Sequence, residues 1–161
     1  MTTKRKYPLP PTVTPGVVTR VLDADEIEGY LGAWLKAYGA NRQGVNSGAY
    51  LWHIFSAGRY PALAKEEALA RYELQLAPEY VVFANDRDQA FETDIRPQGC
   101  SLYDFLVFPR NLAWTMAFTH EDGWYGPYFA THPRYAQLEE ENQRRLQKAR
   151  EAALAKAKGW A

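Results

Sequence analysis

The sequence holds one cysteine, Cys100, only three histidines, and no apolar run near the roughly 20 residues that span a bilayer. A single thiol excludes an internal disulfide and a cysteine-rich zinc site, so packing alone must hold the fold. The start, Met1-Thr-Thr-Lys-Arg-Lys-Tyr-Pro, lacks the apolar core of a secretory signal, and cytoplasmic residence is the expectation. A phosphate-binding glycine loop, a Gly-x-Ser-x-Gly elbow, a dinucleotide fingerprint and a His-Glu-x-x-His pair are all missing. The common enzyme signatures are therefore excluded, and the sequence calls for no cofactor.

What is present is apolar and aromatic. Of 161 residues 47% are hydrophobic and 14% carry aromatic rings, enough to build one real core and too much for a disordered chain. Nineteen basic side chains balance nineteen acidic ones, but unevenly. Residues 1–20 carry four basic groups and no acid, a net of +4; residues 21–133 carry 8 basic and 15 acidic groups, a net of −7; residues 134–161 carry 7 and 4, a net of +3. An acidic body repels a phosphate backbone and attracts basic partners, which argues against nucleic-acid binding by the body while leaving arm and tail undecided.

Four prolines before residue 16 fix too many φ angles for a central strand, so residues 1–16 read as an extended basic arm. Val17–Leu22 is a β-branched run. Asp23 followed by Glu26 has the spacing of a capping box, and Ile27, Tyr30, Leu31, Trp34, Leu35 and Tyr38 recur at helical spacing through about 24–38. Gly39 is placed to end that helix in a left-handed conformation, and Gly29 and Gly32 either admit a close neighbour or weaken the helix. Ala49–Phe55 is dense in strand formers and reads as a central strand with Tyr50, Trp52 and Ile54 on one face and Leu51, His53 and Phe55 on the other. A helix is expected over 61–73, with Leu63, Leu69, Tyr72 and Leu76 on its apolar side.

Tyr80–Phe83 and Gln89–Glu92 flank a turn and read as one hairpin; Tyr103–Phe108 and Leu112–Thr119 read as a second. On the last run Leu112, Trp114, Met116 and Phe118 share a bulky face, and Ala113, Thr115, Ala117 and Thr119 a small one, as if only the bulky side met helices. The expectation is an α+β domain over 17–132, with a mostly antiparallel sheet of about five strands and helices chiefly on one face. From 133 to 161 the composition turns to Glu, Gln, Lys, Arg, Ala and Leu, a charged helix with Glu140–Arg144 and Glu141–Arg145 spaced for pairing. Its apolar line is thin, so it packs lightly, projects, or pairs with another chain.

Three clusters stand in order: Tyr50-Leu-Trp-His-Ile-Phe-Ser56, Trp114-Thr-Met-Ala-Phe-Thr-His-Glu121 and Gly126-Pro-Tyr-Phe129. Over about residues 20–130 the chain resembles an uncharacterised bacterial domain-of-unknown-function family, number 4275, with a Tyr-Leu-Trp-His-x-Phe-Ser strand, a Trp-Thr…Thr-His-Glu strand end and a terminal Gly-Pro-Tyr-Phe. The resemblance implies a fold and supplies no catalytic residues.

The candidate site is the segment Thr119–Phe129, where titratable groups, rings and glycines follow a strand. Its binding residues would be His120, Glu121, Asp122, Trp124, Tyr125, Tyr128 and Phe129. The rings either form an aromatic contact patch or pack on the sheet edge. His53 would approach His120 if their strands neighbour, and two imidazoles with Glu121 or Asp122 would make a general acid/base pair or a weak metal site. The plainer reading buries His53 between Leu51 and Phe55 with its ring satisfied by a backbone carbonyl, and makes His120-Glu121 a turn-fixing hydrogen-bond pair. Cys100 reads as an ordinary thiol.

Two functions of different kinds follow. The first is a protein-binding module whose acidic body takes a basic partner, as an immunity-type inhibitor takes its toxin. The second is a hydrolase using His120 and Glu121, with or without His53 and a metal. A third is a scaffold assembling through the C-terminal helix; the oligomeric state is left open.

Overall fold

The computed structural model describes residues 10–120 and 126–159. Among them lie nine strands and four helices, in the order β1 (Val13–Thr14), β2 (Val18–Val21), α1 (Ala24–Tyr38), α2 (His53–Ser56), β3 (Leu63–Ala64), α3 (Lys65–Glu73), β4 (Tyr80–Ala84), β5 (Ala90–Thr93), β6 (Gly99–Cys100), β7 (Phe105–Phe108), β8 (Trp114–Phe118), β9 (Tyr128–Thr131) and α4 (Tyr135–Ala157). No helix among the described residues is long and apolar enough to cross a membrane.

Seven strands form one antiparallel sheet in the order β2-β5-β4-β7-β8-β9-β3, and β1 pairs with β6 in a small second sheet. The domain is α+β with a large antiparallel sheet, as expected, but has seven strands in that sheet rather than about five. The two hairpins are present as β4–β5 and β7–β8. The described part of the proline-rich arm lies against the body: Thr12 donates its amide to Ser101 Oγ at 3.1 Å, and Val13 pairs with Cys100.

Helices cover both faces of the sheet, not one. On one face Tyr80, Val82, Phe105, Val107, Trp114, Met116 and Phe129 meet Ala68 and Tyr72 of α3, with Tyr135 and Leu138 of α4. On the other Val81, Phe83, Leu106, Phe108 and Ala117 meet Trp34 and Tyr38 of α1 and Ile54 and Phe55 of α2. The small residues of β8 thus mark the face that receives the largest rings, since close packing sets small partners against large ones. Burial on both faces explains why β4, β5, β7 and β8 have no exposed position.

Asp23 caps α1 as expected: Glu26 donates its amide to Asp23 Oδ1 at 2.8 Å, and Asp23 donates its own to Glu26 Oε1 at 3.2 Å. Gly39 ends the helix with φ −109°, not in a left-handed conformation. Space there is tight, since a Cβ would come to 3.0 Å from the Leu35 carbonyl and 3.2 Å from Ile54 Cδ1.

Ala49–Phe55 is not a strand. Residues 48–52 turn and His53–Ser56 form α2, because Leu51, Ile54 and Phe55, spaced by three and four, all reach the core from one side. The helix expected over 61–73 begins only at Lys65, because Leu63 and Ala64 pair with β9; of its expected apolar side Tyr72 is buried and Leu63 packs on the core, while Leu69, and Leu76 beyond the helix, are exposed and Ala68 is buried instead.

The C-terminal helix divides in two. Its first part packs: Tyr135 and Leu138 touch the core, Asn142 is fully buried, and Arg145 reaches Glu79 at 2.6 Å. Arg145 therefore leaves Glu141 unpaired with it, whereas Glu140 and Arg144 pair loosely at 3.9 Å. Beyond Leu146 almost every position is exposed, so the last three turns project.

Candidate functional site

Strand register assembles one polar cluster at one end of the sheet. Ala84 lies opposite Phe105, and Phe105 opposite Phe118, which brings Asn85, Asp104 and His120, each just past a strand end, to the same rim. Asn85 donates its amide to the Asp104 carbonyl at 2.9 Å. Its side chain holds the incoming loop at both ends, accepting from the Leu51 amide at 2.7 Å and donating to the Ala49 carbonyl at 2.9 Å. That clamp turns residues 49–52 over the rim, where an uncapped loop would leave backbone groups buried and unpaired.

Asp104 is the hub. Its side chain is only 6% exposed. Oδ1 accepts both from the His120 amide at 2.9 Å and from His120 Nδ1 at 2.8 Å, while Oδ2 accepts from Trp52 Nε1 at 3.0 Å. A carboxylate buried this far is held by those donors. The imidazole of His120 is 43% exposed, so the pair joins a sealed anion to a ring that meets solvent. With Nδ1 donating to Asp104, the neutral ring carries its basic lone pair on Nε2.

Rings surround the pair. The Tyr50 ring lies 5.3 Å from the His120 ring and 5.4 Å from the His53 ring, centroid to centroid, and Trp52 lies 4.5 Å from His53. Both histidines are thus gathered about Tyr50, although His53 comes from a helix start and not from a strand. His53 is half-buried and not enclosed between Leu51 and Phe55, but its ring does meet a backbone carbonyl as the plainer reading expects, with Nδ1 2.9 Å from that of Asn46.

Tyr128 and Phe129 are 8% and 2% exposed and belong to β9, with Tyr128 stacked on Trp52 at 6.2 Å and Phe129 on Trp114 at 5.9 Å. They pack on the sheet, the second of the two readings open to them, and present no contact patch. Gly126, with φ +92°, makes this seating possible, since a Cβ there would come within 3.1 Å of the Tyr128 ring. Glu121, Asp122, Trp124 and Tyr125 lie outside the described residues.

Sequence reasoning found His120 and His53 but missed Asp104, Tyr50 and Asn85. One signal for Asp104 was legible: it is the single charge in the run Tyr103–Phe108, and a lone carboxylate in a buried strand needs partners. Among the described residues no three His, Cys, Asp or Glu side chains gather as metal ligands. Cys100 sits apart, its thiol pushed up to about 11 by burial, which suits an unreactive thiol.

No curated protein and no solved structure matches the chain. The profile of a family described as a domain of unknown function, DUF4275, matches residues 35–129, a span that begins in α1 and ends on β9 and so takes in every described residue of the rim cluster. Covering more than half of the sequence, that match shows that the chain belongs to the DUF4275 family.

Proposed function

We propose that the protein is a hydrolase in which His120 is the general acid–base and Asp104 orients it. One observation carries this reading: a buried carboxylate accepts from both the backbone amide and ring Nδ1 of a solvent-facing histidine. Such a pairing fixes the ring's tautomer and orientation and stabilises the imidazolium that forms when the base takes a proton from water. Tyr50 and His53 line the same rim and would contact a substrate bound there.

The test is hydrolysis of p-nitrophenyl acetate and bis(p-nitrophenyl) phosphate by the full chain, Asp104→Asn and His120→Gln. Turnover by the wild type that falls about 100-fold or more in both variants supports the reading, in line with the usual worth of a general base. Absence of turnover on both probes, or turnover that survives His120→Gln, overturns it.

A second reading, a module that binds a basic protein in the manner of an immunity-type inhibitor, is favoured by the net −7 of residues 21–133. Electrostatic attraction of that kind speeds association and weakens with salt. A pull-down from the native cell with the intact chain as bait tests it: one stoichiometric, salt-sensitive basic partner supports it, and a partner of acidic charge or none counts against it.

A further inference from the structure

The opposite end of β8 holds a cleft of about 410 Å³ between the last turns of α1 and the start of α4, lined by Ala33, Lys36, Leu112, His132, Pro133 and Arg134 among others. It lies roughly the length of β8 from His120, five residues at about 3.4 Å each. Three of its side chains are cationic or able to be so. Among the described residues neither Lys36 nor Arg134 makes an ion pair, although residues 21–133 are acidic overall. Arg134 Nε donates to Gln137 Oε1 at 3.0 Å, which steadies the guanidinium without neutralising it.

His132 is held in place by two contacts. Its Nδ1 accepts the Arg134 amide at 2.9 Å, which fixes the neutral ring as the Nε2–H donor, and its ring meets Tyr38 edge-on at 6.2 Å. Burial, then the neighbouring Arg134 charge, holds the His132 imidazole below its ordinary range, as expected where no carboxylate offsets the local positive charge. The first turn of α4 contains no acidic residue either, so the helix dipole adds to the same sign.

We propose that this cleft binds a small phosphate monoester, with Lys36, Arg134 and His132 on the phosphoryl group and Leu112, Ala33 and Pro133 against its organic body. Three separate donors, from α1, from the residue after β9 and from the N-cap of α4, suit a tetrahedral oxyanion, whereas a planar carboxylate is matched by one arginine fork alone. The volume exceeds what inorganic phosphate needs and falls within the range of small-ligand pockets. The site is independent of the Asp104–His120 reading and stands or falls separately from it.

The probe is phenyl phosphate, titrated at constant low ionic strength into the isotope-labelled full chain while the His132 ring signal is followed, assigned by its loss in His132→Gln. Saturable movement with a dissociation constant of about 1 mM, tighter than for inorganic phosphate, is expected. The His132 pKa should rise in the bound form, because the anion favours imidazolium. Lys36→Met and Arg134→Gln, both at exposed positions, should each weaken binding about fivefold or more while the amide spectrum stays native. Absence of saturable movement, equal movement with sodium chloride, or unchanged affinity in the Lys36→Met/Arg134→Gln double variant overturns the proposal.

Discussion

Trp34 on α1 donates its indole N–H to Thr115 Oγ1 on β8 at 3.0 Å, joining residues 81 apart through the middle of the fold, where both are almost fully buried. Trp34→Phe removes the donor and some packed volume and strands the hydroxyl, so a loss of about 2–3 kcal/mol in urea unfolding is expected. Adding Thr115→Val should return part of it, since replacing both polar partners costs less than orphaning one. Additive losses in the double variant would show that the hydrogen bond contributes nothing specific.

Gly29 and Gly32 lie on α1 where a Cβ would meet no atom within 4 Å. They therefore admit no close neighbour and only weaken the helix. Gly29→Ala and Gly32→Ala should each stabilise the protein by about 0.5–1 kcal/mol, read as a rise in thermal midpoint. A fall at either position would mean that the backbone there needs glycine for a reason the local space does not reveal.

Glu92 on β5 is nearly sealed and takes two hydrogen bonds from Arg110, at 2.7 and 2.8 Å, with Arg20 at 3.4 Å. The Arg110 hydrogen bond, with that of Arg20 and both charges, holds the carboxyl below its ordinary range against the opposing effect of burial. A depressed native pKa gives stability that is complete above the unfolded value, about 4.3, and is lost as pH falls through the lower native value. Glu92→Gln should cost about 2 kcal/mol at pH 7, and its deficit relative to the wild type should shrink from pH 4 to pH 3. A deficit constant across that range in urea unfolding would remove Glu92 from the acid response.

The two parts of α4 should behave differently on truncation. Ending the chain after Leu146 removes projecting turns and should change stability by less than about 1 kcal/mol. Ending it before Pro133 removes Tyr135, Leu138 and the buried Asn142, which donates to Asn111 Oδ1 at 3.2 Å, and should cost about 3 kcal/mol or more. Sedimentation of the same chains tests assembly through this helix: if the full chain and the one ended after Leu146 are identical monomers, the scaffold idea is gone.

Much of the fold was legible. The capping box of α1, both hairpins and the charged C-terminal helix follow from local spacing, because each rests on contacts within a few residues. Ala49–Phe55 was misread because its residues are strand formers by type, whereas the outcome was decided by Asn85, 34 positions from Leu51, capturing the loop amide. The small face of β8 was misread for the same kind of reason: Thr115 and Ala117 look like an uncovered side until Trp34 is brought against them.

The candidate site follows the same division. Residue type alone marked His120 as a titratable group at a strand end. Its partner could not be read from neighbouring positions, since Asp104 stands 16 residues away and reaches it only through the register of β7 on β8. Side-chain chemistry and short-range periodicity are properties of the chain itself; which carboxylate meets which imidazole, and which rings are sealed, are decided when distant strands pair and water is excluded between them.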